Sequence, residues 1–306
     1  MIDVWSSTGV NLPRQMPALE NLPLPMDDVH YLRLKPGEFM SPSLSAVPTT
    51  APLLAEMIKL NRILIQVNNL NMQTVNNPLS PVELETRVST LSNTLSSWHA
   101  ALPPNMHDTP ENLAHWASLG LGRMFIAVYL GYYHFGQLLF YQFLHGDALS
   151  TVLSAKYYAQ RCKSFAEALC SIVYASHSTP GCDVQYTMVG HILVIASTIQ
   201  IHTLLFSEDD RQISAARSRL ERNFEILMKL RDVWPTLDVS FTRLRAFHKA
   251  CRDSMDESFR LDVWMLRFLS EFAVVVDDKE VLAMTPVDLT VWSWEGLGSP
   301  LSVREE

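Results

Sequence analysis

The sequence predicts an all-α fold, a large multi-helix bundle preceded by an extended Pro-rich N-terminal arm. Three observations carry that expectation. From Ser43 onward every periodic segment repeats its apolar residues at helical spacing, and none sustains the two-residue alternation of a strand. Apolar residues make up 48% of the 306 residues. Charged residues make up 18%, below the roughly 25% usual for soluble domains, so much of the chain must be buried. Lastly, two long runs without Asp, Glu, Lys or Arg, 124–146 and 184–206, each carry one stripe of polar residues. A helix inside a bundle can satisfy such a stripe against its neighbours, whereas lipid cannot.

The elements follow in order. Residues 1–42 hold Pro13, Pro17, Pro23, Pro25, Pro36 and Pro42, a spacing that forbids a long helix. They read as an arm lying across the body, with Trp5, Leu12, Met16, Leu19 and Leu24 as anchors. The helical domain spans 43–276. Its first helix covers 51–68, with Leu53, Leu60, Leu64 and Val67 among its apolar positions, and residues 69–80 read as a loop. Ser80-Pro81 supplies an N-cap and a first-turn proline. The second helix follows, with Leu84, Val88, Leu91, Leu95 and Trp98 along one face until Leu102-Pro103-Pro104 ends it.

A long central helix is expected over 113–145. Its stripe is His134, Gln137, Tyr141 and His145, at i, i+3, i+7 and i+11. Another helix covers 149–177, and Pro180-Gly181 breaks the chain. The second uncharged run, 184–206, aligns Thr187, His191, Thr198 and His202. Three outer helices complete the domain. Ser207-Glu208-Asp209-Asp210 opens one with a cap and acids at its positive end. Trp234-Pro235-Thr236 turns into the next, which carries Leu237, Phe241, Leu244, His248, Cys251 and Met255. The last covers 258–276, with Trp264, Met265, Phe268 and Leu269 buried. Residues 277–306 form a polar tail.

Residue chemistry offers no catalytic or metal site. The four cysteines lack C-x-x-C spacing. Cys162 and Cys170 stand about 12 Å apart along one helix, too far for a disulfide. His134 and His145, like His191 and His202, are about 16 Å apart and cannot share a metal ion. No G-x-S-x-G elbow occurs, and Gly120-Leu121-Gly122 reads as a helix start or joint rather than a phosphate loop. The net charge of −8 argues against a broad nucleic-acid-binding face. One candidate site remains, a ligand pocket between the two uncharged helices formed by His134, Gln137, Tyr141, His191 and Thr198.

Leu91 to His145 adds an ordered set of motifs. A helix ends in Leu91, Leu95 and Trp98 before Leu102-Pro103. Asn112-Leu113 lies a little downstream. An apolar, Tyr/His-rich helix then carries Tyr133-His134, Leu138-Leu139-Phe140-Tyr141 and Phe143-Leu144. This set resembles the regulatory domain of fungal binuclear zinc-cluster transcription factors, the fungal-specific transcription factor domain, over about residues 40–275. The resemblance implies a nuclear transcription regulator that works through co-regulators or the transcription machinery, with a small-molecule effector and a homodimer as further expectations. Family members bind DNA through six N-terminal cysteines holding two zinc ions, followed by a basic linker. This sequence contains neither, so zinc is expected only in the missing cysteine cluster of full-length relatives. The chain reads as beginning partway through the regulatory domain, and no cofactor, membrane or direct nucleic-acid contact is expected of it. The competing readings are a helical accessory enzyme, a scaffold, or a two-span membrane protein.

Overall fold

Asp27 and Asp28 begin the ordered path into the bundle. The structure, a computed structural model, describes residue 9 and residues 23–35, 53–146 and 151–279. Asp27 accepts a hydrogen bond from the His30 amide and caps the short helix α1, Asp28–Arg33. Asp28 is buried and accepts from the Leu54 amide at 3.1 Å, so it covers the N-terminus of α2, Leu53–Asn76. That site favours a carboxylate, while burial pushes the Asp28 pKa up.

Helix α2 runs eight residues past the expected end at 68, through a stretch rich in asparagine. Leu70 and Asn71 are buried, and the Asn71 amide donates to the Leu138 carbonyl at 3.0 Å. Tertiary packing here overrides a weak local preference. Helix α3, Pro81–Ala100, starts as expected, with Ser80 Oγ accepting from the Glu83 amide.

The expected central helix is three pieces. Helix α4 is Pro110–Ser118, capped by Thr109, and α5 is Gly122–Phe140. Between them Gly120 has φ +74°, where the Leu121 amide bonds back to the Trp116 carbonyl at 2.9 Å. Only glycine adopts that left-handed conformation without cost, which makes the joint reading of Gly120 the correct one. After Phe140 the chain tightens into a 3₁₀ turn, Tyr141–Leu144. The uncharged run 124–146 is therefore not one continuous helix.

Helix α6 is Ala155–Ser178 and α7 is Thr187–Phe206, with Gly181 at φ +79° between them. Helix α8 is Asp210–Val233. Its cap is Asp209 rather than Ser207, because Asp209 Oδ1 reaches the Arg211 amide at 2.9 Å. Pro235–Leu237 turns into α9, Asp238–Asp253. The expected last helix is shorter: α10, Val263–Ser270, follows a 3₁₀ turn at Glu257–Phe259. It stops where the buried Arg243 takes its last carbonyls.

The described residues contain ten α-helices and no strand, so the all-α expectation holds. Helix α5 packs against α2, α3, α4, α6 and α7. Helix α7 packs in turn against α6, α8 and α9. Among the described residues one helix, α7, is long and apolar enough to cross a membrane, and 83% of its apolar window is buried by its neighbours. Leu24 of the Pro-rich arm is 40% exposed. The other expected anchors, Trp5, Leu12, Met16 and Leu19, and the tail from residue 280 onward lie outside the described residues.

Candidate functional site

The two polar stripes meet. Because α6 runs back between them, α5 and α7 lie parallel, and residues on α5 face those 57 positions later on α7. Tyr141 lies just past α5 and its hydroxyl donates to Thr198 Oγ1 at 2.9 Å, a separation of 57 residues. His134 faces His191 edge to face, ring centroids 5.7 Å apart. One turn beyond Tyr141, His202 bonds the Leu144 carbonyl at 2.9 Å. The two side-chain pairs share one offset because 134 and 141 are spaced as 191 and 198 are, while the His145 ring lies instead near Asp256 and Glu257.

All five expected pocket residues are buried, His134 at 1% exposure and Gln137 and Tyr141 at 0%. The structure brings four of them together as two separate pairs and leaves Gln137 outside both. Tyr141 and Thr198 saturate each other, since Thr198 accepts from the phenol and donates to the Ile195 carbonyl at 2.8 Å. His134 and His191 lie about 10 Å further along the helices. Gln137 donates to the Tyr133 carbonyl at 3.4 Å, and its Oε1 has no hydrogen-bond partner.

His191 has a second task. Its Nε2 lies 3.1 Å from the Leu269 carbonyl, which can only accept, so Nε2 carries the proton. Nδ1 is then a buried lone pair without a partner. Beside it, Arg243 of α9 donates to the carbonyls of Arg267, Phe268, Glu271 and Val274. The last turn of α10 leaves carbonyls unsatisfied, and His191 and Arg243 together cover them. Arg243 is 1% exposed and its guanidinium lies over the Phe268 ring, 4.9 Å from the centroid.

Electrostatics keeps the seam neutral. Burial lowers the His134 pKa to about 3 and the His202 pKa to about 4. It also lowers His191 well below its ordinary value, helped by the charge of Arg243. Burial raises Tyr141 well above the usual phenol range. None of these groups can exchange a proton near neutral pH, so the seam is built to hold neutral imidazoles and amides. Among the described residues no cluster of three His, Cys, Asp or Glu could hold a metal ion.

A second polar cluster was not legible beforehand. His99 stacks on Tyr132, centroids 5.0 Å apart, and meets His107 edge-on at 5.2 Å. Tyr133 donates to Asp108 Oδ2 at 2.6 Å. Burial raises the Asp108 pKa and lowers that of His99. His99 and His107 flank a proline-rich loop, and no local spacing relates them. Arg243 was also missed, although it shares a helical stripe with Ser240, Leu244 and Phe247. An arginine inside an apolar stripe was the available signal.

No family model matches the chain, and neither a curated protein nor a solved structure matches it.

Proposed function

We propose that this chain is a transcription regulatory domain of the fungal zinc-cluster type, acting in the nucleus through co-regulators or a small-molecule effector. The observation that supports the reading is that Trp98, Asn112 and Tyr133 of the motif set each tie their segment to a neighbouring one. Trp98 Nε1 donates to the buried Glu56 of α2 at 2.8 Å. The loop after Leu102-Pro103 is held by Asn112, whose amide donates to the Pro104 and His107 carbonyls, both at 2.8 Å. Tyr129 and Tyr133 on α5 close the same loop through Met106 and Asp108. Asn112 and Tyr133, from two parts of the motif set, thus hold the same loop.

In this reading an effector acts at the α5–α7 seam, where Gln137 Oε1 and His191 Nδ1 remain without partners. Fusing the whole chain to an unrelated DNA-binding module and a reporter tests it. The expected result is reporter output altered relative to the module alone, with the tagged chain enriched in nuclei. Unaltered output together with exclusion from nuclei overturns the reading. Leu at both His134 and His191 tests the effector seam separately. A response unchanged in a folded double variant removes the seam and leaves the regulatory role standing.

A further inference from the structure

We propose that Arg161 of α6, with Ser92 and Ser96 of α3, forms a binding site for a phosphate group. This inference does not depend on the regulatory reading. The Arg161 guanidinium donates one arm to Ser92 Oγ and the other to Ser96 Oγ, the latter at 3.3 Å. Three aromatic rings hold it in place, with centroids 4.8 Å away for Phe140, 5.3 Å for Phe165 and 5.9 Å for Tyr157. The rings fix the rotamer, and the two serines take one N–H from each arm of the fork, which leaves further N–H groups to donate.

The charge lacks a counter-ion. Every ion pair among the described residues uses a different cation. The carboxylate on the same flank, Glu85, is engaged by the Ser154 hydroxyl at 2.6 Å. It stands seven residues from Ser92, about 10 Å along α3. The serines are also half spent. Their oxygens accept from Arg161, and their own protons reach no acceptor among the described residues. Thr86, Thr90 and Thr94 on the same helix behave otherwise, each donating to the carbonyl four residues back.

The seam therefore presents the spare guanidinium N–H groups and two hydroxyl protons around one uncompensated positive charge. That donor set suits a tetrahedral oxyanion, which takes several charge-assisted hydrogen bonds at once. Ser96 is exposed and Tyr157 is 60% exposed, so the site opens to solvent. A phosphate supplied free and a phosphate carried on a nucleoside share this chemistry, and the Tyr157 ring offers a face to a base.

The test is calorimetric titration of the full chain with inorganic phosphate at fixed ionic strength, with chloride as the control. A dissociation constant on the order of 1 mM is expected for phosphate and none for chloride. Ser96→Ala should weaken binding about tenfold, the loss of one charge-assisted hydrogen bond, while leaving the melting temperature in chloride unchanged. Arg161→Lys keeps the charge and loses the fork, and should weaken it similarly. Uridine 5′-monophosphate binding more tightly than phosphate identifies an ester as the ligand, and equal binding identifies the free anion. Phosphate heats no different from chloride, or binding unchanged in both variants, overturn the proposal.

Discussion

Tyr141 and Thr198 are joined by a 2.9 Å hydrogen bond between side chains that are both fully buried, across the boundary between two parallel uncharged segments. The bond sets the register of the seam, because His134 meets His191 at the same sequence offset. Removing either partner should have unequal effects. Tyr141→Phe deletes the donor and leaves Thr198 bonded to the Ile195 carbonyl, so a loss of about 1 kcal/mol is expected. Thr198→Val strands the phenol in an apolar interior and should cost about 2 to 3 kcal/mol. Urea unfolding of both variants measures the difference, and an equal cost would mean that the phenol finds another acceptor.

Acid should unfold the chain through its buried histidines. His134 and His202 fall to about 3 and about 4 in the folded state, against roughly 6.5 in the unfolded chain. A depressed folded-state value means the contribution is complete above the unfolded pKa and is lost as pH falls from there towards the folded value. Between about pH 6 and pH 4 the unfolded form binds protons that the native form refuses. These two groups alone should drop the folded-to-unfolded ratio by up to about a hundredfold per pH unit, and His191 shifts in the same direction. Stability measured at several pH values gives the proton number, and a slope below one proton would contradict the assignment.

Arg243 should be harder to replace than any surface arginine. Its donors cover four carbonyls at and beyond the end of α10, and Arg243→Met fills the space but satisfies none of them. A loss of about 3 to 5 kcal/mol is expected, the range for stranding buried polar groups. Hydrogen exchange should report the damage first in residues 263–276, ahead of α5. Uniform loss of protection across the bundle would show instead that α10 is integral to the core.

Gly136 occupies α5 where alanine would favour the helix by about 1 kcal/mol. A Cβ there would nevertheless lie 2.5 Å from Cδ1 of Phe165. That ring is pinned between Arg161, Tyr132 and Phe140. Gly136→Ala is therefore expected to destabilise by about 1 to 3 kcal/mol despite the better helix former. A rise in melting temperature would indicate that Phe165 rotates freely out of the way.

Where a signal was local, the sequence revealed it. Ser80-Pro81, Gly120, Gly181 and Trp234-Pro235 each mark a boundary found in the fold, because a cap or a left-handed residue acts on its own backbone. The long reach of α2 was not legible, since Asn69 and Asn71 read as loop. Only the Leu138 carbonyl, 67 residues away, gives Asn71 a reason to be helical. Of the five candidate pocket residues, His134 faces His191 and Tyr141 faces Thr198, while Gln137 turns back to the Tyr133 carbonyl. What could not be read was that the stripes run parallel, which turns one expected cluster into two pairs. The role of His191 was hidden for the same reason, because its carbonyl partner belongs to α10, 78 residues on.

The parallel arrangement also shapes how the chain is made. A residue on α5 leaves the ribosome 57 residues before the residue it faces on α7. At roughly 5 to 20 residues per second, that is a wait of about 3 to 11 s. Throughout it, the most apolar surface of the nascent chain has α2, α3 and α4 to lie against, and then α6, but not its final neighbour. Synthesis speed across 145–200 thus becomes a determinant of yield. Slowing translation there should raise the demand for chaperones without altering the finished fold.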